Sequence, residues 1–257
     1  MGVHQRIDRV AHRHIAPHIP VSLDFPRYRE IVHFEGKNGP DGIKRKSPAI
    51  DEPWHFIDPS DLDDTALLDM IDEHIANMAQ AIKDDNRVRI AFEAAWMAHA
   101  ITDGLTPAHH YPYEEKLEEL RGGESIDTRT SAKAKLLFPG ETPRMRIKNN
   151  WEYWGAKGVM TTHLQFELGI AMTLSGAKLD SIHKFDSADI DELKREGFRK
   201  VFLQTLHDIH EMKMYDEFQQ SGWTRRLARE TKHELVPRIV KSVCDGWYAA
   251  ILKAREL

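Results

Sequence analysis

Apolar residues recur along the chain at helical intervals and seldom alternate, so the pattern predicts a nearly all-α fold. His4 to His18 sets Ile7, Val10, Ala11 and Ile15 on one side, and Pro17 with Pro20 closes that helix. Residues 19–60 are broken repeatedly by Pro and Gly, among them Pro26, Gly36, Gly39, Pro40, Gly42, Pro48, Pro53 and Pro59, which predicts a long irregular segment. Ser60-Asp-Leu-Asp reads as an N-cap with an acidic first turn. The helix it opens is expected to run to about Asp84 with Leu67, Leu68, Ile71, Ile75 and Met78 inward. From Arg87 to Asp103 only Glu93 is charged in mid-segment, which suits a central helix buried on most of its surface.

Residues 110–150 are mixed, with Gly122-Gly123, Pro139-Gly140 and scattered cations, and read as an insertion carrying short helices. Further helices are expected at about 151–175, 188–213 and 224–255. No internal repeat divides the chain, so residues 1–257 are read as a single domain.

Composition narrows the chemistry. With one cysteine, Cys244, neither an internal disulfide nor a cysteine-based zinc site can form, so a metal would need His and carboxylates, and there are 15 His. A net charge of −5 gives no global attraction to nucleic acid or anionic membrane. No apolar run approaches the roughly 18 to 20 residues of a membrane span. Met1-Gly2-Val3-His4-Gln5-Arg6 has no secretory apolar core, so a cytoplasmic location is expected.

The candidate chemistry begins at the end of the most apolar helix. His99 and Asp103 stand four residues apart, about 6 Å along one helix face, where two side chains can converge on one ion. An ionised Asp on such a helix costs several kcal/mol unless a cation or dense hydrogen bonding offsets it. Gly104 and Pro107 then end the helix and can return His109 to the same region. His163 and Glu167 repeat the spacing. His55 stands among bulky apolar residues in the Pro-bounded stretch Asp51-Glu-Pro-Trp-His-Phe-Ile-Asp-Pro59, and Gly39-Pro40-Asp41-Gly42 is a turn presenting Asp41. Taken bare, His99 with Asp103 is equally well a hydrogen-bonded core pair, and the other features are more often turns or core than ligands.

Together these residues resemble the zinc-dependent phospholipase C and S1/P1 nuclease superfamily. Its H-x3-D-x5-H core reads here as His99, Asp103 and His109, with Pro107 two residues before the last His. The H-x3-E of the phospholipase branch is matched by His163 and Glu167, where the nuclease branch has H-x3-D. Asp41 lies fourteen residues before His55-Phe56-Ile57-Asp58, and His4 opens the first helix with small and apolar residues at +3, +6 and +7. The resemblance covers about residues 4–167. Two departures stand out: the family's N-terminal Trp ligand is missing, and His109 and His163 are 54 residues apart, which makes room for the 110–150 insertion.

The resemblance implies a helical bundle around two or three zinc ions. Asp41, His55, His99 and Asp103 would hold one, Asp103 would bridge to a second near His4, and His109, His163 and Glu167 would hold a third. It implies hydrolysis of a phosphodiester, phospholipid or nucleotide, by metal-activated water, with Asp41 as ligand and general base, and peripheral membrane contact if the substrate is a lipid. Two alternatives stay open: an S1/P1-like nuclease, and a zinc-binding helical protein without activity. Weaker candidates are His207 with His210, the aromatic group Trp151, Tyr153 and Trp154, the cations Lys133, Lys135, Arg144, Arg146 and Lys148, and the segment from Trp223 to Arg229. His12 is expected on the solvated side of the first helix.

Overall fold

A computed structural model of the protein describes residues 2–44, 55–61, 63–177, 179 and 184–256. Met1, Pro48, Asp51, Glu52, Pro53, Trp54 and Leu62 lie outside these residues. The fold is all-α, with no strand among the described residues. Its helices of six residues or more are α1 (Val3–Ile15), α2 (Ala66–Lys83), α3 (Arg87–Gly104), α4 (Tyr113–Leu120), α5 (Pro143–Trp154), α6 (Val159–Ser175), α7 (Ser187–Glu196), α8 (Phe198–Glu211), α9 (Met214–Ser221), α10 (Arg225–Glu230) and α11 (Val236–Glu256). Among the described residues no helix is long and apolar enough to cross a membrane.

Helix α3 is the central element, packed against α1, α2 and α11. Asn86 caps it by accepting from the Arg89 amide at 3.1 Å. The predicted inward residues of α2, from Leu67 to Met78, are all buried against it. Trp247 of α11 is fully buried, and its indole N–H donates to the Ala94 carbonyl at 2.8 Å. The charge inside α3, Glu93, is fully buried and held by Arg89 at 2.5 Å and His74 at 2.6 Å. Cys244 is buried in the same core.

Several predicted boundaries are corrected. The helix expected from Ser60 starts at Ala66, because the Asp58 carboxylate takes the Ser60 amide and hydroxyl at 2.8 and 2.6 Å and holds a local turn instead. The segment 151–175 is interrupted between Trp154 and Val159. There the chain passes so close to the preceding turn that a Cβ at Gly158 would lie 2.4 Å from the Tyr153 carbonyl oxygen. The segment 188–213 breaks at Gly197, whose φ of +78° no helix accepts. The last segment loosens into a π-helical turn over Thr231–Leu235, just ahead of Pro237, which has no N–H to donate. Helix α9 lies in a stretch where no helix was expected.

The 110–150 region folds around a small apolar cluster of its own, with Tyr113, Leu117, Leu120, Ile126, Phe138 and Tyr153 buried together. Phe56 stacks on Tyr113 at 4.4 Å and so links that cluster to the end of α3.

Candidate metal centre

Six of the eight expected ligands hang on helical scaffolds: His4 on α1, His99 and Asp103 on α3, His163 and Glu167 on α6, and Asp41 in the first turn of the short helix Pro40–Lys44, where the sequence predicts a turn. His109 sits in the tight turn Pro107–His110 that returns the chain after α3, fixed by the His109 amide donating to Thr106 at 2.8 Å. The loop carrying His55 is pinned to that turn, since the Ile57 amide donates to the His109 carbonyl at 3.0 Å. Distant stretches of chain therefore meet at one place because the α3 terminus is their common anchor.

Asp103, buried at 5% exposure, is the hub. Its Oδ2 lies 2.8 Å from His55 Nδ1 and 3.2 Å from His99 Nε2, and its Oδ1 lies 3.3 Å from His4 Nε2 and 3.9 Å from His109 Nε2. The His4 and His99 rings stack in parallel, 4.0 Å between centroids. A second focus is Glu167, toward whose Oε1 both His109 Nε2, at 3.2 Å, and His163 Nε2, at 3.1 Å, are turned.

Ligand atoms of His4, His99 and Asp103 lie within 4.8 Å of one another, and so do those of His109, His163 and Glu167. His55 is tied to the first triad by its hydrogen bond to Asp103. Asp41 stands at the edge, about half exposed, with Oδ1 3.8 Å from His99 Nε2. The expected division put Asp41, His55, His99 and Asp103 on one ion with Asp103 bridging to a second near His4; all five stand together here, each within 4 Å of Asp103 or His99.

Electrostatics follow from burial and these neighbours. Burial opposes the charge on Asp103, but His99, His109 and His4 hold its carboxyl well below the usual range. Burial also opposes protonation of His99, yet Asp103 and Glu35 outweigh it and hold the imidazole well above its usual value. Glu167 is lowered by the two imidazoles against its own burial, while His109 is pushed down by burial.

These residues fit a divalent cation. Burial favours neutral His109, and imidazoles gathered with carboxylates are a donor set that a divalent metal ion takes. His99 Nε2 is buried 3.2 Å from Asp103 Oδ2 and meets no geometric hydrogen bond among the described residues.

Two residues that sequence reasoning missed complete the setting. Glu35, 5% exposed, accepts from His99 Nδ1–H at 3.2 Å and so leaves Nε2 to face Asp103. Asp8 is buried on α1 with neither oxygen hydrogen-bonded among the described residues, and burial with nearby Glu35 raises its carboxyl well above the usual range. The His4-x3-Asp8 spacing, the same as His99-x3-Asp103, was the available signal for Asp8; Glu35, in the irregular segment, carried none.

A cavity of about 270 Å³ adjoins the centre, lined by His4, Asp41, Asp103 and Glu167 together with apolar residues that include Leu164 and Leu168. Leu168 is 57% exposed, whereas Phe166, Ile170 and Leu174 turn the opposite side of α6 into the core.

No family model matches the chain, nor does any curated protein or solved structure.

The weaker candidates lie elsewhere. His207 is exposed and His210 accepts from Lys213 Nζ at 3.0 Å, so the two share no site. His12 is half-buried, not solvated, with Nε2 3.0 Å from the Pro26 carbonyl oxygen. Trp223 packs on α6, and Arg226 pairs with Glu217 and Glu230.

Proposed function

We propose that the protein is a zinc-dependent phosphodiester hydrolase of phospholipase C-like type. The observation that carries this reading is the pair of candidate ligand triads, His4–His99–Asp103 and His109–His163–Glu167, which meet one cavity through His4, Asp103 and Glu167. Imidazoles outnumber carboxylates in the two triads, which favours zinc over magnesium. Bound there, zinc would polarise phosphate oxygens and lower the pKa of water.

The chain's own residues supply the rest. Asp103 orients His4, His55 and His99 around one carboxylate, and Glu35 fixes the His99 ring. Asp41, partly exposed on the cavity wall, has a carboxylate free to accept a proton from attacking water through Oδ1. Thr102 lines the same cavity with a buried hydroxyl that has no hydrogen-bond partner among the described residues, and it can donate to a substrate oxygen.

Leu164, Leu168 and Met172, all at least half exposed at four-residue intervals on α6, offer an apolar lip beside the cavity. That lip favours a phosphodiester with an apolar group, as in a phospholipid. One observation favours the nuclease alternative: a groove of about 600 Å³ carrying Arg6, Arg9 and Arg13 adjoins the cavity, sharing Val3 and Ala171 with it.

The test is metal content and turnover together. Elemental mass spectrometry of purified protein is expected to find two or three zinc per chain and fewer in His99→Ala. A chromogenic phosphodiester should be cleaved by the zinc-loaded wild type and at least 100-fold more slowly by the variant. Equal rates would sink the hydrolase reading, and stoichiometric zinc with no turnover on lipid or nucleotide phosphodiesters would leave the non-catalytic alternative.

A further inference from the structure

A groove of about 740 Å³ runs along α5 and shares no lining residue with the cavity of the metal centre. Ile147, Trp151 and Trp154, spaced i, i+4, i+7, form one stripe of α5 and are 68%, 71% and 40% exposed. Leu136 and Leu137, in the segment just before α5, are also about half exposed.

The stripe is not a core face left unfilled. The opposite side of α5 is already fastened: Tyr153 is buried, and Asn149 Nδ2 donates to the Leu120 and Pro139 carbonyls at 3.0 and 2.8 Å. The Trp154 indole N–H donates to the Leu136 carbonyl at 2.8 Å, which holds its ring on the outer surface. The sequence places this aromatic cluster at the start of a helix; it ends one instead, and two of its three rings face outward.

Charge reverses at the same place. Lys133, Lys135, Arg144, Arg146 and Lys148 stand against Glu141 and Glu152 in this segment of a chain whose net charge is −5. Glu152 is engaged by Lys116 at 2.6 Å. Among the described residues, Lys133, Arg144, Arg146 and Lys148 make no ion pair.

We infer that this face of α5 docks on an anionic lipid bilayer. Indoles settle at the headgroup level, aliphatic side chains enter the acyl boundary, and flanking cations meet anionic headgroups. A nucleic-acid strand would match the cations and the rings, but it has no use for Ile147, Leu136 and Leu137 beside them. Docking is separate from the metal centre and is measured without turnover.

The experiment is vesicle flotation of the full chain in 0.1 M salt, with phosphatidylcholine alone and with 30% phosphatidylserine. Partitioning is expected to be at least tenfold stronger on the anionic vesicles and to weaken at 0.5 M salt. Trp151→Ala with Ile147→Ser, and separately Arg144→Glu with Lys148→Glu, should each lower it tenfold or more. Because all four side chains are on the surface, the helical circular dichroism of both variants should match the wild type. Equal partitioning on both vesicles, or partitioning that neither variant changes, overturns the inference. So does binding to a single-stranded oligonucleotide without vesicle binding, or a dimer abolished by Trp151→Ala that ignores vesicles.

Discussion

Glu35 lies 3.2 Å from Nδ1 of His99 although 64 residues separate them in the chain, and both side chains are almost wholly buried. A carboxylate oxygen accepts, so Nδ1 carries a proton and Nε2 is the atom that a metal would take. Such outer partners typically contribute 10- to 100-fold to metal affinity. Glu35→Gln is therefore expected to weaken zinc binding by about that factor in a chelator competition, with the fold retained. Unchanged affinity would remove Glu35 from the site.

Asp103 and His99 set the pH response of the metal-free protein. Asp103 has a lowered pKa in the folded state, so its contribution is present above its unfolded value and is lost as pH falls through the folded one. His99 is raised, so its contribution is present below its unfolded value and is lost as pH rises through the folded one. Asp103→Asn breaks this buried pair and should cost about 3–5 kcal/mol in urea unfolding of chelator-treated protein. The loss should be largest between the two transitions. A uniform loss across pH would show that the pairing is not its source.

Asp245 gives the opposite dependence. Burial pushes its carboxyl up to about 7 even though Lys241 lies 3.0 Å from one oxygen. The folded state thus holds the proton more tightly, and stability declines as pH rises from about 4 to about 7 before levelling. Asp245→Asn removes this term. Relative to wild type, the variant should gain about 2 kcal/mol on going from pH 5 to pH 8 in urea unfolding; a pH-independent difference would contradict the assignment.

Gly169 lies on α6, between the candidate ligands His163 and Glu167 and the end of the helix, and a Cβ there would stand 2.2 Å from the Trp223 ring. The ring is wedged against Phe166 and held by its N–H donating to Thr173 Oγ1 at 3.1 Å, so it has little room to move. Gly169→Ala should destabilise the protein by about 1–3 kcal/mol in urea unfolding. It should also weaken zinc binding if the shift reaches Glu167. Wild-type stability would mean that Trp223 yields freely.

The sequence by itself determined the helical class, the inward faces of α1, α2 and α3, and the turn that returns His109 after Gly104, because periodicity and the Gly and Pro breakers are local properties. The i, i+4 pairs His99–Asp103 and His163–Glu167 were legible for the same reason. Tertiary structure alone decided that Glu35 braces His99, that Asp8 is buried, and that Trp151 is exposed. It also decided the breaks at Gly155–Gly158 and Gly197, where close approach or a positive φ overrides a continuous pattern. Those relationships join residues far apart in the chain, and their energies come from burial and from charges brought within a few ångströms, which no window of sequence contains.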